Sequence, residues 1–506
     1  MNANCLNRRG FLKAAGTTAI LGFCARIGLG QKKRVGRKPN FVFFLVDDLG
    51  WKDVGCYGST FYETPNIDRL AAQGMRFTNA YAACPVCSPT RASIMTGKYP
   101  ARLGITDWIG APQKPTGYRE GLPLAEMTIA EALKEAGYAT GYVGKWHLSS
   151  RDAERAMYYP DRQGFDINVG GDHSGAPPTY FHPYAKGNRT LETMPVGGRE
   201  GEYLTDRLTD ESLKFIEANQ DRPFLLYLSH YAVHTPLESK KALAEKYQAK
   251  AKELPELQGP HAAPVYGPYK TRLVQDNAVY AGMVQSVDES VGRVLDKLRA
   301  LGLEQDTIVI FMSDNGGLST VQREGPTCNL PLRAGKGWLY EGGIREPMII
   351  KWPGVVKPGS ECAEPVVSTD FYPTMLQMAG LPLKPEQHVD GISLVPLLEG
   401  TGTPQRNALY WHYPHYHGSG NRPSGAVRAG DYKLIEWYED GKVELYNLQE
   451  DLGERKDLAA TMPDKADELK RMLHAWRAEV GAKMPEGEPR DDYGTWRQAK
   501  DGKGIP

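Results

Sequence analysis

Cys87 stands two residues before Pro89 and four before Arg91, and the helix-prone stretch Ala92 to Thr96 that follows is closed by Gly97. A helix over Ser88 to Gly97 puts Cys87 among free backbone N–H groups at the positive helix end, where an anion is favoured. Arg91, one turn inside, adds a fixed positive charge. A thiolate in that place is reactive, whereas a buried structural cysteine is the plainer alternative. Two further pairs carry chemistry. Asp47-Asp48 and Asp314-Asn315 each end an apolar run. Neighbouring carboxylates repel unless a cation or a helix terminus offsets them. Three carboxylates and an amide oxygen make an all-oxygen set that suits Ca²⁺, with Mg²⁺ second, rather than zinc. Either pair alone reads equally well as turn-capping Asp and Asn.

The elements that must position these residues are legible as apolar runs. Asn40 to Val46, Ala139 to Val143, Phe224 to Ser229, Thr307 to Met312 and Met348 to Lys351 read as strands. Helical spacing or glycine stops mark Pro65–Gln73, Thr128–Ala136, Leu204–Asn219, Val279–Leu301 and Tyr372–Ala379. Helices and strands alternate, so the fold expected is α/β, a large mostly parallel sheet flanked by helices on both faces. Polar clusters at Asp47, Lys145, His230 and Asp314 each follow a strand, where open α/β sheets bind ligands. Beyond Gly402, short alternating runs around Tyr410-Trp411-His412-Tyr413, Lys433 to Tyr438 and Glu444 to Tyr446 predict a smaller antiparallel sheet with a closing helix, Lys465 to Val480. The charged Lys240–Lys252 helix and the Pro-rich 253–269 stretch read as a surface excursion.

With 506 residues there is material for a large core and a second module, and 61 basic against 61 acidic residues argue against general capture of nucleic acid. Arg8-Arg9-Gly10-Phe11-Leu12-Lys13 before a short, mildly apolar run reads as a twin-arginine export signal over 1–30. That run is too short for a stable membrane insertion. The expected organisation is the signal, a catalytic domain over 36–400, an antiparallel subdomain over 401–485 and a tail over 486–506. Cys84 and Cys87 form C-x-x-C, but their context lacks the partners of a zinc site.

Further motifs complete the pattern: Leu45-Val46-Asp47-Asp48-Leu49-Gly50-Trp51, Gly97-Lys98-Tyr99-Pro100, Gly144-Lys145-Trp146-His147, His234-Thr235-Pro236, Gly335-Lys336-Gly337-Trp338 and Glu341-Gly342-Gly343-Ile344-Arg345-Glu346-Pro347. In order and spacing, over roughly residues 38–480, the chain resembles the type I sulfatases of the alkaline-phosphatase superfamily. That resemblance implies oxidation of Cys87 to formylglycine by a maturation enzyme. It implies Ca²⁺ held by Asp47, Asp48, Asp314, Asn315 and residue 87. Arg91 and Lys145 would hold the aldehyde hydrate, His147 would sit beside it, and His234 and Lys336 would bind the sulfate and ester oxygens. The expected activity is sulfate ester hydrolysis on a sulfated glycan, after export by the twin-arginine machinery to the periplasm or beyond. Asp172, His173 and Ser174, with Trp411 and His412, are candidates for the sugar pocket; the aromatic cluster reads equally as packing between the two domains. A phosphonate monoester or phosphodiester hydrolase of the same superfamily and a non-catalytic glycan-binding relative are the alternatives.

Overall fold

Asn40–Val46 (β1) is buried at every position, as a strand covered on both faces must be. Its side chains alternate between two cores: Val42, Phe44 and Val46 enter one, and Phe41, Phe43 and Leu45 the other. The computed structural model describes residues 38–111, 118–256, 259–322 and 325–485; the expected signal (1–30) and tail (486–506) lie outside them.

After β1 come Met75–Phe77 (β2), Ala139–Gly144 (β3), Ile167–Val169 (β4), Phe224–Ser229 (β5), Thr307–Ser313 (β6), Met348–Lys351 (β7) and Ser360–Cys362 (β8). They form one sheet of 8 strands in the order β8-β2-β7-β6-β1-β5-β3-β4. The run β6-β1-β5-β3-β4 is parallel throughout. β7 runs against both of its neighbours, β6 and β2, so the sheet is mixed at that flank.

The helices are Pro65–Gln73 (α1), Cys87–Thr96 (α2), Ile129–Glu135 (α3), Leu204–Ala218 (α4), Lys241–Lys252 (α5), Ala278–Ala300 (α6), Phe371–Met378 (α7) and Pro463–Glu479 (α8). α1, α4, α5 and α6 cover one face, and α2, α3 and α7 the other. Local chemistry sets their ends. Thr128 and Glu131 form a reciprocal capping box at the start of α3, satisfying N–H groups the helix itself cannot. Gly97 ends α2 in a left-handed conformation, φ 70°.

The C-terminal sheet is an antiparallel meander of Leu409–Tyr413 (β9), Ser424–Ala429 (β10), Tyr432–Trp437 (β11) and Val443–Asn447 (β12), covered by α8. Its core is continuous with the loop that carries Trp338, Leu339 and Ile344. The excursion expected over 240–269 is more firmly held than its charge suggested. Tyr247 of α5 is fully buried against Phe61, and α5 packs on α6. The Pro-rich stretch folds into a hairpin, Ala262–Tyr266 with Tyr269–Arg272.

Candidate active site

The loops leaving β1, β3 and β6 emerge at the same edge because these strands are parallel and in register: Val46 lies opposite Ser313, and Gly144 opposite Ser229. Asp47 and Asp48 follow β1, Lys145 and His147 follow β3, and Asp314 and Asn315 follow β6. Cys87 is the first residue of α2. The turns are sharp. Asp48 and His147 both adopt left-handed backbone, at φ 63° and 56°, a conformation non-glycine residues hold only where the surroundings fix it. Asp53 fixes the first turn, accepting from Gly50 N at 2.9 Å and from the Tyr280 hydroxyl at 2.6 Å. At Gly316 a side chain is excluded, since a Cβ would fall 1.8 Å from the Gly342 carbonyl oxygen.

One oxygen from each of Asp47, Asp48 and Asp314 lies within 4.8 Å of the others, all three residues being buried. Positive groups ring them. Arg91 donates Nε and Nη2 to Asp314 Oδ2 at 2.9 and 2.7 Å, and Nη1 to Ser229 Oγ and the Lys145 carbonyl. Lys145 Nζ donates to Asp47 Oδ2 and Lys336 Nζ to Asp48 Oδ1, each at 2.6 Å. Asn315 Nδ2 donates to Asp48 Oδ1 at 2.8 Å, and His234 Nε2 lies 3.7 Å from Asp48 Oδ2. Two buried acceptors in this cluster, Asp47 Oδ1 and Asn315 Oδ1, have no hydrogen-bond partner, although Arg91 Nη2 lies 3.8 Å from the first. Buried polar atoms are rarely left so, and an oxygen-lined cation site accounts for both.

Cys87 Sγ is 3.3 Å from His147 Nδ1, while His147 Nε2 is 2.9 Å from the Ile109 carbonyl. A carbonyl only accepts, so Nε2 carries the proton and Nδ1 turns its lone pair toward residue 87. Burial, then the charge of Lys145, holds His147 well below the usual histidine range, so the ring is neutral. Burial also lowers His234, to about 3, with Lys336 adding to it. Burial resists ionisation of Asp48, but Lys336, His234 and Lys145 overcome it and hold the carboxyl below its ordinary range. Asp47 goes the other way, raised to about 8 by burial and by Asp314 and Asp48 against the pull of Lys145. Burial raises the Cys87 thiol despite Lys145 and Lys336, so the unmodified thiol stays protonated at neutral pH.

Of the residues singled out from sequence, Asp47, Asp48, Cys87, Arg91, Lys145, His147, His234, Asp314, Asn315 and Lys336 converge here. His230 does not; its Nε2 faces Ser290 Oγ at 3.1 Å in the core. Asp172 shapes the neighbouring loop: its carboxylate accepts from Ser174 N and Glu192 N, and its carbonyl from His147 N. His173 is partly exposed, 3.3 Å from the Tyr159 hydroxyl, and Ser174 is partly exposed beside it. Trp411 and His412 require a correction. Trp411 is fully buried, donating to the Ala82 carbonyl, and His412 is held between the Tyr438 hydroxyl and the Lys483 carbonyl. Both pack the C-terminal sheet and neither offers an open face to a sugar. Sequence reading passed over Ser229, which braces Arg91, and the Ile109 carbonyl, which sets the His147 tautomer. It also missed Trp108, whose ring lies 6.4 Å from that of His147. None belongs to a motif with a chemical signature of its own.

Comparison with known proteins accords with this geometry. A family model described as "Sulfatase" matches residues 39–381, and one described as "N-sulphoglucosamine sulphohydrolase, C-terminal" matches 334–479. A "Sulfatase" of Formosa agariphila is 34% identical, the match covering 88% of this chain and 90% of that protein. Human "Arylsulfatase A" is 35% identical over 80% of this chain and 76% of its own. The crystal structure of Ps i-CgsB in complex with k-i-k-neocarrahexaose superposes with a TM-score of 0.71 at 31% identity, covering 91% of this chain and 97% of that one. The chain belongs to the sulfatase family, and its activity is the hydrolysis of sulfuric esters.

Proposed function

We propose that residue 87 is oxidised to formylglycine and that its hydrate removes sulfate from a sulfated carbohydrate beside a bound Ca²⁺. The observation that carries this reading is the meeting of Cys87 Sγ, the bare Nδ1 of His147 and the unpartnered oxygens of Asp47 and Asn315. Asp47, Asp48, Asp314 and Asn315 would hold the cation, with residue 87 as a further ligand. Calcium there supplies Lewis acidity toward sulfuryl oxygens and favours ionisation of the attacking hydroxyl. The hydrated aldehyde supplies two geminal hydroxyls, one to attack sulfur and one whose deprotonation lets the C–O bond break and sulfate leave.

The chain's own groups divide the remaining work. Arg91 and Lys145 balance the charge near residue 87 and keep Asp314 and Asp47 in place. His147, neutral with Nδ1 toward residue 87, is placed to take a proton from the hydrate. Lys336 is held above the ordinary lysine range, against burial, chiefly by Asp48, so it enters the reaction protonated. It is the group best placed to stabilise and protonate the departing oxygen. His234 donates Nδ1 to the Thr235 carbonyl at 2.7 Å and keeps Nε2 toward the site; it would gain a proton only beside bound sulfate.

A glycan is the preferred substrate because a related sulfatase-fold structure holds a neocarrahexaose. His173 and Ser174, partly exposed beside His147, are the sugar contacts we favour, with Asp172 shaping their loop. Residues 1–30 would direct export through the twin-arginine machinery to the periplasm or outside the cell. Among the described residues no helix is long and apolar enough to cross a membrane. The test compares 4-nitrophenyl sulfate with a 4-nitrophenyl phosphonate monoester. A kcat/KM preference for the sulfate supports the reading, and a preference for the phosphonate replaces it with the sister activity.

A further inference from the structure

Two loops hold His147, and each is braced by an arginine without an acid against it. Ile109 accepts the His147 Nε2 proton; the next residue, Gly110, lies under the Arg151 guanidinium, where an added Cβ would be 2.7 Å from Nε and 2.9 Å from Cζ. On the other side Gly175 packs so closely on the imidazole that a Cβ would be 2.4 Å from Cε1. Arg189 Nη2 donates to the carbonyl of the following residue, Ala176, at 3.4 Å. Trp108, half-buried, completes this rim beside His147.

The electrostatics of the rim are unusual. Among the described residues neither Arg151 nor Arg189 has a carboxylate within ion-pair distance, whereas nearby Arg155 is paired with Glu192 at 2.7 Å. Burial and then the charge of Arg189 lower Arg151 below the usual arginine range, with Glu120 opposing, so the two cations sit within each other's field. The Arg151 charge also reaches His147. Two guanidinium groups without acid partners, each against a loop that holds His147, with the Trp108 ring 6.4 Å from that histidine, suit a ring that bears an anion.

We infer that Arg151 and Arg189 form a second anion subsite, so that the glycan turned over carries another sulfate or a carboxylate on the sugar unit next to the one whose ester is cleaved. This rests on the sulfatase reading and specifies its substrate class. The added anion would take charge-assisted hydrogen bonds from both arginines while the ring lies along Trp108.

The test measures kcat/KM for wild type, Arg151→Gln, Arg189→Gln and the double variant on four probes. These are 4-nitrophenyl sulfate, carrageenan-type disaccharides with one and with two sulfates, and a chondroitin 6-sulfate disaccharide, which pairs one sulfate with a uronate. Wild type should prefer at least one two-anion disaccharide over the monosulfated one. Each single variant should lower that preference about tenfold and the double variant abolish it, relative to any change on 4-nitrophenyl sulfate. Preference confined to the disulfated probe identifies a second sulfate; preference shared with the uronate probe identifies any anion. A wild type that prefers no two-anion disaccharide, or a double variant that keeps the preference, overturns the inference. No hydrolysis of any probe by protein shown to carry formylglycine would instead sink the sulfatase reading itself.

Discussion

At the edge of the large sheet, Asp47, Asp48 and Asp314 meet Arg91, Lys145 and Lys336; where the C-terminal sheet joins the catalytic loop, Glu341 and Glu454 meet Lys433, Arg345 and Tyr81. Both clusters are buried and both mix acids with cations. They differ in saturation. Glu341 takes Lys433 at 2.9 Å on one oxygen, and Tyr81 and Arg345 at 2.7 and 3.2 Å on the other. Glu454 takes Lys433 at 2.9 Å and Glu341 N at 2.7 Å. Every carboxylate oxygen there has a donor. At the sheet edge Asp47 Oδ1 and Asn315 Oδ1 have no hydrogen-bond donor, Arg91 Nη2 standing 3.8 Å from the former. A closed network fixes geometry, and an open one is arranged for something else to complete it. The two are linked through the chain: Glu341 begins the turn whose Gly343 carbonyl accepts from Gly316 N at 3.1 Å, directly beside Asn315.

The contrast breaks first on activity. Asp314→Ala should reduce turnover of 4-nitrophenyl sulfate by at least about 10⁴-fold, because it removes a proposed cation ligand and strands Arg91. Activity within tenfold of wild type would remove Asp314 from the machinery. Extraction with EDTA should cause a comparable loss that Ca²⁺ reverses, read with the same assay; activity that persists through exhaustive chelation contradicts the open-cluster assignment.

Stability should show the reverse ranking. Lys433→Met leaves two buried carboxylates facing each other and should cost about 3–5 kcal/mol in urea unfolding. Asp47→Asn, at the crowded site, should leave the midpoint of the chelated protein near that of wild type while abolishing turnover. Equal destabilisation by both would erase the distinction drawn between the clusters.

A pH dependence sharpens it further. Burial resists ionisation of Glu341, but Lys433 and the two arginines Arg345 and Arg428 hold its carboxyl at about 2, below its ordinary value of 4.5. A depressed acid adds stability that is fully present above pH 4.5 and lost as pH falls toward 2. In Lys433→Met the acid-unfolding limb should therefore begin at higher pH; coincident limbs would mean that Lys433 does not hold that charge. The smallest effect expected is for His412→Gln, which should change kcat/KM less than about threefold, since its ring faces Tyr438 and Lys483 rather than substrate.

The nearer a feature lay to one continuous pattern, the more of it the sequence carried. β1, β3, β5 and β6 announced themselves as apolar runs, and a parallel sheet then obliges their following loops to share an edge, which brought Asp47, Lys145 and Asp314 together. Cys87 was legible because Pro89, Arg91 and Gly97 mark where α2 begins and ends. The reach of Lys336 back to Asp48 came only from resemblance, because no local periodicity encodes a contact across 288 positions. The direction of β7 was hidden for a similar reason: a buried strand reads alike either way. Trp411 illustrates the opposite error. An aromatic cluster near polar residues reads like a sugar platform, yet in β9 its alternation simply points the indole into the core. Tyr247, amid lysines, was masked by the charge of its own helix.

Everything at the catalytic edge turns on what residue 87 becomes. The decisive measurement is mass spectrometry of the Cys84–Arg91 peptide from active protein, made beside a titration of sulfate released per enzyme molecule. An aldehyde is expected in place of the thiol, with turnover rising in proportion to the aldehyde fraction and vanishing in Cys87→Ala. Full turnover by protein whose residue 87 is entirely thiol would contradict it.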